Sequence, residues 1–255
     1  MAQPVPLDEA TELYNRAVVL HEDDTAAAAR LAFRLRHVVM KQPKSFPARV
    51  ALVRTLQICG DREHALNHLG VAWELRDYGR RSGIVSLGSL LLSLADFVRA
   101  KALWSEFWQI RCETDPFEAA TFAGFLGFLS GDISLIEQAA SLEKISTHVG
   151  VAKRIWDWVG AAGVGADLAA HQDVLYSVVG EHQLSYELQF RQDDDSEVPV
   201  VWMSHRVDLD WPEIRCIRRS LRGALYERFQ GGGISPAFLC HDLIPVPRTP
   251  VFQVA

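Results

Sequence analysis

The sequence predicts a mostly α-helical chain, with stacked helical hairpins over residues 1–183 and a small α+β module over residues 184–255. Two patterns lead to this fold class. In the first part, an Asp opens an apolar segment of helical period four times, at nearly even spacing. After residue 184 apolar and polar residues alternate, which is typical of strands. The four Asp residues are Asp24, Asp61, Asp96 and Asp132.

The composition bounds the class of protein. Hydrophobic residues make up 49% of the chain and charged residues 23%, as in globular proteins. The net charge of −6 argues against a general binder of nucleic acid or membrane surfaces. The longest apolar run, residues 83–95, is shorter than the roughly 20 residues that span a bilayer. The first residues show no secretory signal. We therefore expect a soluble, cytoplasmic protein without a cofactor.

The helix starts repeat at intervals of 37, 35 and 36 residues, a period typical of stacked pairs of helices. In the second repeat, Pro47 fits a first helical turn and Gly60 fits a helix end. Asp61 is then predicted to cap the next helix by accepting hydrogen bonds from its unpaired amides. Small residues four positions after Asp allow close helix packing, except in the last repeat. These positions are Ala28, Ala65, Ala100 and Ile136.

Over residues 7–148 the chain resembles the tetratricopeptide-repeat (TPR) family. The matching residues are Gly60, Asp61, Ala65, Ala72, Leu87, Gly88, Asp96, Ala100, Gly124, Gly131 and Asp132. The resemblance implies a solenoid whose first helices line a concave groove that binds a peptide or protein segment. A related hairpin array or a helical bundle also fits the spacing. Residues 151–182 are predicted to form a terminal pair of helices that caps the solenoid.

The last seventy residues predict strand, strand, helix and strand. Tyr186, Leu188 and Phe190 alternate with polar neighbours, and a second strand-like run follows an acidic loop. An amphipathic helix then starts near Pro212 and ends at a run of three glycines. A third strand and a Pro-rich tail complete this ββαβ module.

The predicted groove leads to a functional hypothesis. Its partner-facing residues are Val50, Arg54, Gln57, Val85, Ser89, Leu92, Thr121, Phe125 and Phe128. The groove becomes apolar toward Phe125 and Phe128, which favours an amphipathic helix or an extended apolar segment as ligand. We therefore predict a non-enzymatic adaptor or chaperone-like scaffold that binds another protein. In a variant of this hypothesis the chain's own tail, with Val251, Phe252 and Val254, occupies the groove until it is displaced.

Two other classes of function stay open. An enzyme could use His205, Asp208 and His241, which fall on or near adjacent predicted strands, although the spacing specifies no complete catalytic set. We predict no catalytic residue and no metal site, since His64 and His68 have no obvious third ligand. A nucleic-acid-associated regulator could use four arginines on one helix face, although the acidic chain makes nucleic acid a less favoured partner. These are Arg215, Arg218, Arg219 and Arg222. The alternative for this face is a solvated surface, partly paired with Asp193, Asp194 and Asp195.

Overall fold

The computed structural model describes residues 8–143, 159, 163, 165–191, 200–229 and 239–249. The protein is mostly helical and has a small three-stranded sheet near its C-terminal end, as the sequence predicts. None of the helices in these ranges is long and apolar enough to cross a membrane. The chain divides into two compact units. The first comprises Met1–Leu90, Val207–Asp210 and Pro245–Ala255, and the second comprises Leu91–Arg206 and Trp211–Ile244.

The first unit is built around one central helix. Its helices are α1 (Glu9–Val18), α2 (Thr25–Lys41), α3 (Phe46–Ile58), α4 (Arg62–Glu74) and the start of α5 (Arg81–Ser93), with a 3-10 turn at Arg76–Tyr78. The central helix α3 packs against α1, α2 and α4. Ten of its 13 residues are buried, because neighbours cover it on several sides.

The second unit combines helices with the sheet. Its helices are the end of α5, then α6 (Phe97–Leu103), α7 (Pro116–Ser130), α8 (Ile133–Glu143), α9 (Gly165–Val179) and α10 (Trp211–Arg228). A π-helical turn at Trp104–Trp108 and a 3-10 turn at Gln109–Arg111 follow α6. Helix α7 packs against α6, α8 and α9, and α9 packs against α10. The strands are β1 (Gln183–Arg191), β2 (Val200–Val207) and β3 (Leu239–Pro245), in the order β1-β2-β3. The predicted ββαβ order is confirmed.

Three of the four predicted helix starts follow the same turn between consecutive helices. Asp24 differs, since its amide donates to the carbonyl of His21 (3.1 Å). The residue before Asp takes a left-handed backbone at Gly60 (φ 74°), Ala95 (φ 59°) and Gly131 (φ 67°). The amide of the Asp then reaches back five residues to a carbonyl of the preceding helix. The bonded pairs are Asp61 with Leu56 (2.9 Å), Asp96 with Leu91 (2.9 Å) and Asp132 with Gly127 (2.8 Å). This Schellman arrangement ends one helix and places the next one directly after it.

The capping bond predicted for Asp61 does not form there, although Asp96 makes such a bond in the corresponding turn. The Asp96 carboxylate accepts a hydrogen bond from the Arg99 amide (3.2 Å), as an N-cap does. Asp61 occupies the N-cap position of α4, but its carboxylate makes no capping bond. The prediction is wrong for Asp61, because basic side chains bind its carboxylate instead.

The last repeat has Ile136 where the other three have Ala, and helix packing explains this difference. A Cβ atom added at Gly127 would lie 2.9 Å from the Ile136 side chain. The small residue is therefore on α7, and the large one packs over it from α8. The close contact between the two helices is kept although the residue sizes are exchanged.

Replacing Ala95 by Gly should stabilise the protein by about 1 kcal/mol. A left-handed backbone costs a residue with a Cβ atom about 1–2 kcal/mol, and glycine avoids most of that cost. Urea unfolding followed by circular dichroism measures the change. As a control, Ala224→Gly in the middle of α10 should lower stability by about 0.5–1 kcal/mol. Equal destabilisation by the two changes would contradict a strained Ala95.

The compact units do not coincide with the predicted division at residues 183 and 184. The boundary falls within α5, and the chain returns to the first unit at Pro245–Ala255. Of the predicted terminal helical pair, α9 is the second member, and most of the first lies outside the described residues. The acidic loop with Asp193, Asp194 and Asp195 also lies outside them, as do the tail residues Val251, Phe252 and Val254.

Candidate functional site

The turn between α3 and α4 holds a short piece of the chain that follows β3, which we call the docked segment (residues 246–249). The amide of Thr249 donates to the carbonyl of Cys59 (2.8 Å). A Cβ atom at Gly60 would lie 3.0 Å from the carbonyl oxygen of Val246 and 3.3 Å from Cα of Arg248. Glycine thus serves two purposes, since it permits the left-handed turn and lets the docked segment approach closely.

An ion pair fixes the docked segment to the same turn. A guanidinium nitrogen of Arg248 lies 2.6 Å from Oδ1 of Asp61, and the Asp61 side chain is only 9% exposed. His64 Nδ1 lies 2.9 Å from the same oxygen, and Arg36 approaches Oδ2 at 3.9 Å. Val246 is buried, and its amide donates to the carbonyl of Val207 (2.9 Å). The segment is therefore held by a buried side chain, two backbone hydrogen bonds and one charge pair.

The surroundings of Asp61 favour its charged form. Burial raises the pKa of the Asp61 carboxyl, but hydrogen bonds from His64 and Arg248, and their charges, outweigh burial and lower it overall. Burial, with a smaller effect of Asp61, raises the pKa of the neighbouring Cys59 thiol to about 11. Cys59 is fully buried, so it behaves as the small hydrophobic residue that the sequence predicts. The turn offers a partner a carboxylate and a backbone carbonyl, not a reactive thiolate.

The predicted groove residues do not line one accessible surface. Four of them are buried in the interior: Val50, Gln57, Leu92 and Phe128. Arg54, Val85, Thr121 and Phe125 are half-buried, and Ser89 is exposed. The set is also divided between the two units. The assignment of the four buried residues to an accessible groove is corrected, because neighbouring helices cover α3 and α7. A partner-binding role of the other five stays a prediction.

The structure brings the predicted pair His205 and His241 together and adds His171 to them. His205 Nε2 lies 3.2 Å from His241 Nδ1, and His241 Nε2 lies 3.3 Å from His171 Nε2. The three imidazoles come from β2, β3 and α9 and form a chain of hydrogen bonds, which we call the histidine chain. Asp208, the third predicted member, is exposed and belongs to the first unit.

One amide sets the protonation of the histidine chain. Gln183 Nε2 donates to the carbonyls of Leu92 (3.4 Å) and Ser93 (2.8 Å), so its Oε1 must accept from His205 Nδ1 (2.8 Å). Neutral His205 then accepts at Nε2 from His241 Nδ1. Neutral His241 in turn accepts at Nε2 from His171 Nε2. This order assigns the lone pair of His171 to its Nδ1, which is buried and has no partner among the described residues.

Burial keeps the histidine chain neutral. It lowers the pKa of His171 to about 4. Burial, and secondly the charge of His171, lowers the pKa of His205 to about 3. His241 has a pKa well below the usual range, through burial first and then its two neighbours. In the described ranges no group of three or more His, Cys, Asp or Glu side chains could hold a metal ion. His241 gives one ring nitrogen to each neighbour, so the three lone pairs do not converge on one point.

The other predicted polar residues have separate partners. His64 pairs with Asp61, whereas His68 accepts at Nδ1 from Arg49 (2.8 Å). Burial, followed by the charge of Arg49, lowers the pKa of His68 to about 4. Of the four arginines predicted to share one face of α10, Arg218 pairs with Asp242 and donates to the carbonyl of Leu243 (3.1 Å), and the other three are exposed.

Sequence reasoning missed three functional candidates: Arg248, Gln183 and His171. Arg248 stands alone in a Pro-rich tail, and no sequence pattern connects it with Asp61, 187 positions away. Gln183 begins a strand and His171 lies within a helix, so neither carries a motif. Only the tertiary structure places them beside their partners.

Comparison with protein-family models, curated proteins and solved structures finds no match for this chain. The resemblance to the TPR family therefore stays a prediction. The function has to be argued from the contacts of this chain alone.

Proposed function

We propose that this chain is a non-enzymatic adaptor, with TPR-like helical hairpins, that binds an extended segment of a partner protein at the turn between α3 and α4. The observation that carries the proposal is the docked segment itself. Residues 246–249 lie on this turn with a backbone hydrogen bond from Thr249, a close approach to Gly60 and an ion pair from Arg248 to Asp61.

These contacts are of the kind that proteins use to bind peptides. Main-chain hydrogen bonds supply affinity for any extended chain, and specific side-chain contacts select the sequence. Here the selecting contacts are the apolar site of Val246 and the carboxylate of Asp61. The partner segment is therefore extended, with an apolar residue two positions before an arginine. The chain's own tail acts as an internal competitor for such a partner.

The enzymatic alternative at His205, Asp208 and His241 has less support. His205 and His171, at the two ends of the histidine chain, are buried, and a general base must lie within hydrogen-bond reach of its substrate. Asp208 belongs to the other compact unit. We therefore give the histidine chain a structural role.

A peptide-binding measurement tests the proposal. A chain ending at Pro245 should bind a fluorescein-labelled peptide of residues 245–255 saturably, as measured by fluorescence anisotropy. Asp61→Asn in the shortened chain should weaken binding about fivefold, since it removes a charge pair whose Arg248 side chain is 60% exposed. Arg248→Gln in the peptide should cause the same loss. The two changes together should cost no more than either one.

Asp96→Asn serves as the matched control, because Asp96 precedes α6 as Asp61 precedes α4, but it lies in the second unit. Peptide affinity should be unchanged in this variant. Circular dichroism shows whether the shortened chain keeps its helices. Full helicity without saturable peptide binding would refute the proposal, as would equal losses from Asp61→Asn and Asp96→Asn.

A further inference from the structure

Helix α10 is the most open helix of the second unit. Of its 18 residues, Ile214 and Leu221 are the buried ones. Two large aromatic side chains near its ends stand in solvent: Trp211 is 56% exposed and Tyr226 is 72% exposed. Tyr and Trp are enriched at interfaces, because each ring combines a large apolar area with a polar group.

The exposed aromatics share one face of α10 with three arginines. With 3.6 residues per turn, Trp211, Arg215, Arg219, Arg222 and Tyr226 fall within about 80° of the helix circumference. These five residues, which we call the basic stripe, extend over about 22 Å of the helix axis. The two acidic residues of α10, Glu213 and Glu227, fall outside this sector. The middle of the stripe is therefore positive, with an aromatic ring at each end.

Arg218 shows the contrast between a structural arginine and those of the basic stripe. Its guanidinium pairs with Asp242 of β3 and is part of the packing of α10. Arg215, Arg219 and Arg222 are exposed, and no carboxylate of the described residues pairs with them. Nε of Arg215 donates a long hydrogen bond (3.4 Å) to the carbonyl of Trp211 in the same helix. Within the described part of the chain, the donors of these three guanidinium groups thus remain available to an external anion.

We propose that the basic stripe binds single-stranded nucleic acid. Guanidinium groups one helical turn apart can bind neighbouring phosphates of one strand, and each offers a planar pair of donors. The rings of Trp211 and Tyr226 give bases a surface for stacking, which works for every base. An acidic peptide would satisfy the arginines but would leave the two rings without a purpose. The combination of rings and arginines therefore favours nucleic acid, although the whole chain carries a net charge of −6.

Anisotropy of a short fluorescein-labelled single-stranded oligouridylate, titrated with the full chain at several salt concentrations, tests the proposal. The triple variant Arg215→Gln, Arg219→Gln, Arg222→Gln should weaken binding at least about tenfold. It should also lower the slope of log affinity against log salt by about 2, because each phosphate contact on a single strand contributes about 0.7. The double variant Trp211→Ala, Tyr226→Ala should weaken binding about tenfold and leave the slope unchanged.

A second triple variant controls for net charge. Arg30→Gln, Lys41→Gln and Lys44→Gln remove three exposed cations from the first unit, so the change in charge is the same. This variant should bind within about twofold of the unmodified chain. Equal losses in the two triple variants would overturn the proposal, since they would show a general charge effect. Absence of binding to the unmodified chain would also overturn it. Binding of poly-glutamate as tight as that of the oligouridylate would identify an acidic protein as the partner instead.

Discussion

Lowering the pH from 7 to 5 should destabilise the second unit by about 4 kcal/mol or more. His171 has a folded pKa of about 4 and His205 of about 3, whereas an unfolded histidine has a pKa of about 6.5. Between these values the unfolded chain binds more protons than the folded chain, so stability falls as the pH falls. Each histidine costs about 2 kcal/mol at pH 5, and His241 acts in the same direction.

Between pH 7 and pH 5, stability changes through the buried histidines and not through the carboxylates with lowered pKa values. Asp61 and Asp132 have folded pKa values below 3.8, through hydrogen bonds and charges that outweigh burial. Each of these carboxylates stabilises the fold at a pH above the pKa of an unfolded Asp. This stabilisation is lost only when the pH falls through the lower pKa of the folded chain, which is outside the range from pH 7 to 5. The slope within that range therefore reports mainly on buried imidazoles.

Urea unfolding at pH 7, 6 and 5, followed by tryptophan fluorescence, measures the effect. Six of the seven tryptophans belong to the second unit, so the signal reports mostly on that unit. His171→Gln should reduce the loss of unfolding free energy between pH 7 and pH 5 by about 2 kcal/mol, the contribution of one histidine. His21→Asn, which changes an exposed imidazole of the first unit, serves as the control for the loss of a histidine outside the histidine chain. Equal unfolding free energies at pH 7 and pH 5 would contradict neutral histidines in the interior.

Replacing Gln183 by Leu should lower the free energy of unfolding by about 3 kcal/mol at pH 7. The change leaves the buried Nδ1–H of His205 without its acceptor and removes the Gln183 donor from the carbonyl of Ser93. The carbonyl of Leu92 also loses a long bond from Gln183, but it still accepts from the Ala95 amide (3.2 Å). Each buried polar group without a hydrogen bond costs about 1–3 kcal/mol. Gln189→Leu on the same strand, at a half-buried position, should change stability by no more than about 0.5 kcal/mol.

The tautomer of His205 offers a second measurement on the same amide. Nitrogen-15 NMR of labelled histidine should show the proton on Nδ1 in the unmodified chain, because Gln183 can only accept there. In Gln183→Leu this preference should be lost. A His205 proton on Nε2 in the unmodified chain would show that the order of donors in the histidine chain is wrong.

Local features of the fold could be read from the sequence. Gly60 and Gly131 end helices, and an Asp follows each of them, because this pair of residues satisfies the backbone at a helix end and places the next helix start. Alternation of Tyr186, Leu188 and Phe190 predicted β1 for a similar local reason. Ala95 was harder to recognise as a helix end, since alanine rarely takes a left-handed backbone.

The sites could be predicted only in part. His205 and His241 were recognisable because adjacent strands place their residues side by side. The choice of groove residues failed at Val50 and Phe128, because periodicity identifies the faces of a helix but not which neighbours cover them. Arg218 has the same sequence environment as the exposed arginines of the basic stripe, and only its contact with Asp242 distinguishes it.

The sequence by itself determined the helix ends at Gly60 and Gly131 and the strand-strand-helix-strand order near the C-terminal end, since these depend on residues close together in the chain. The tertiary structure alone decided that Arg248 meets Asp61, that Gln183 sets the protons of the histidine chain, and that three arginines stay exposed. Such contacts join residues far apart in the chain, and local patterns carry no information about which of them meet. They depend on how the complete core packs.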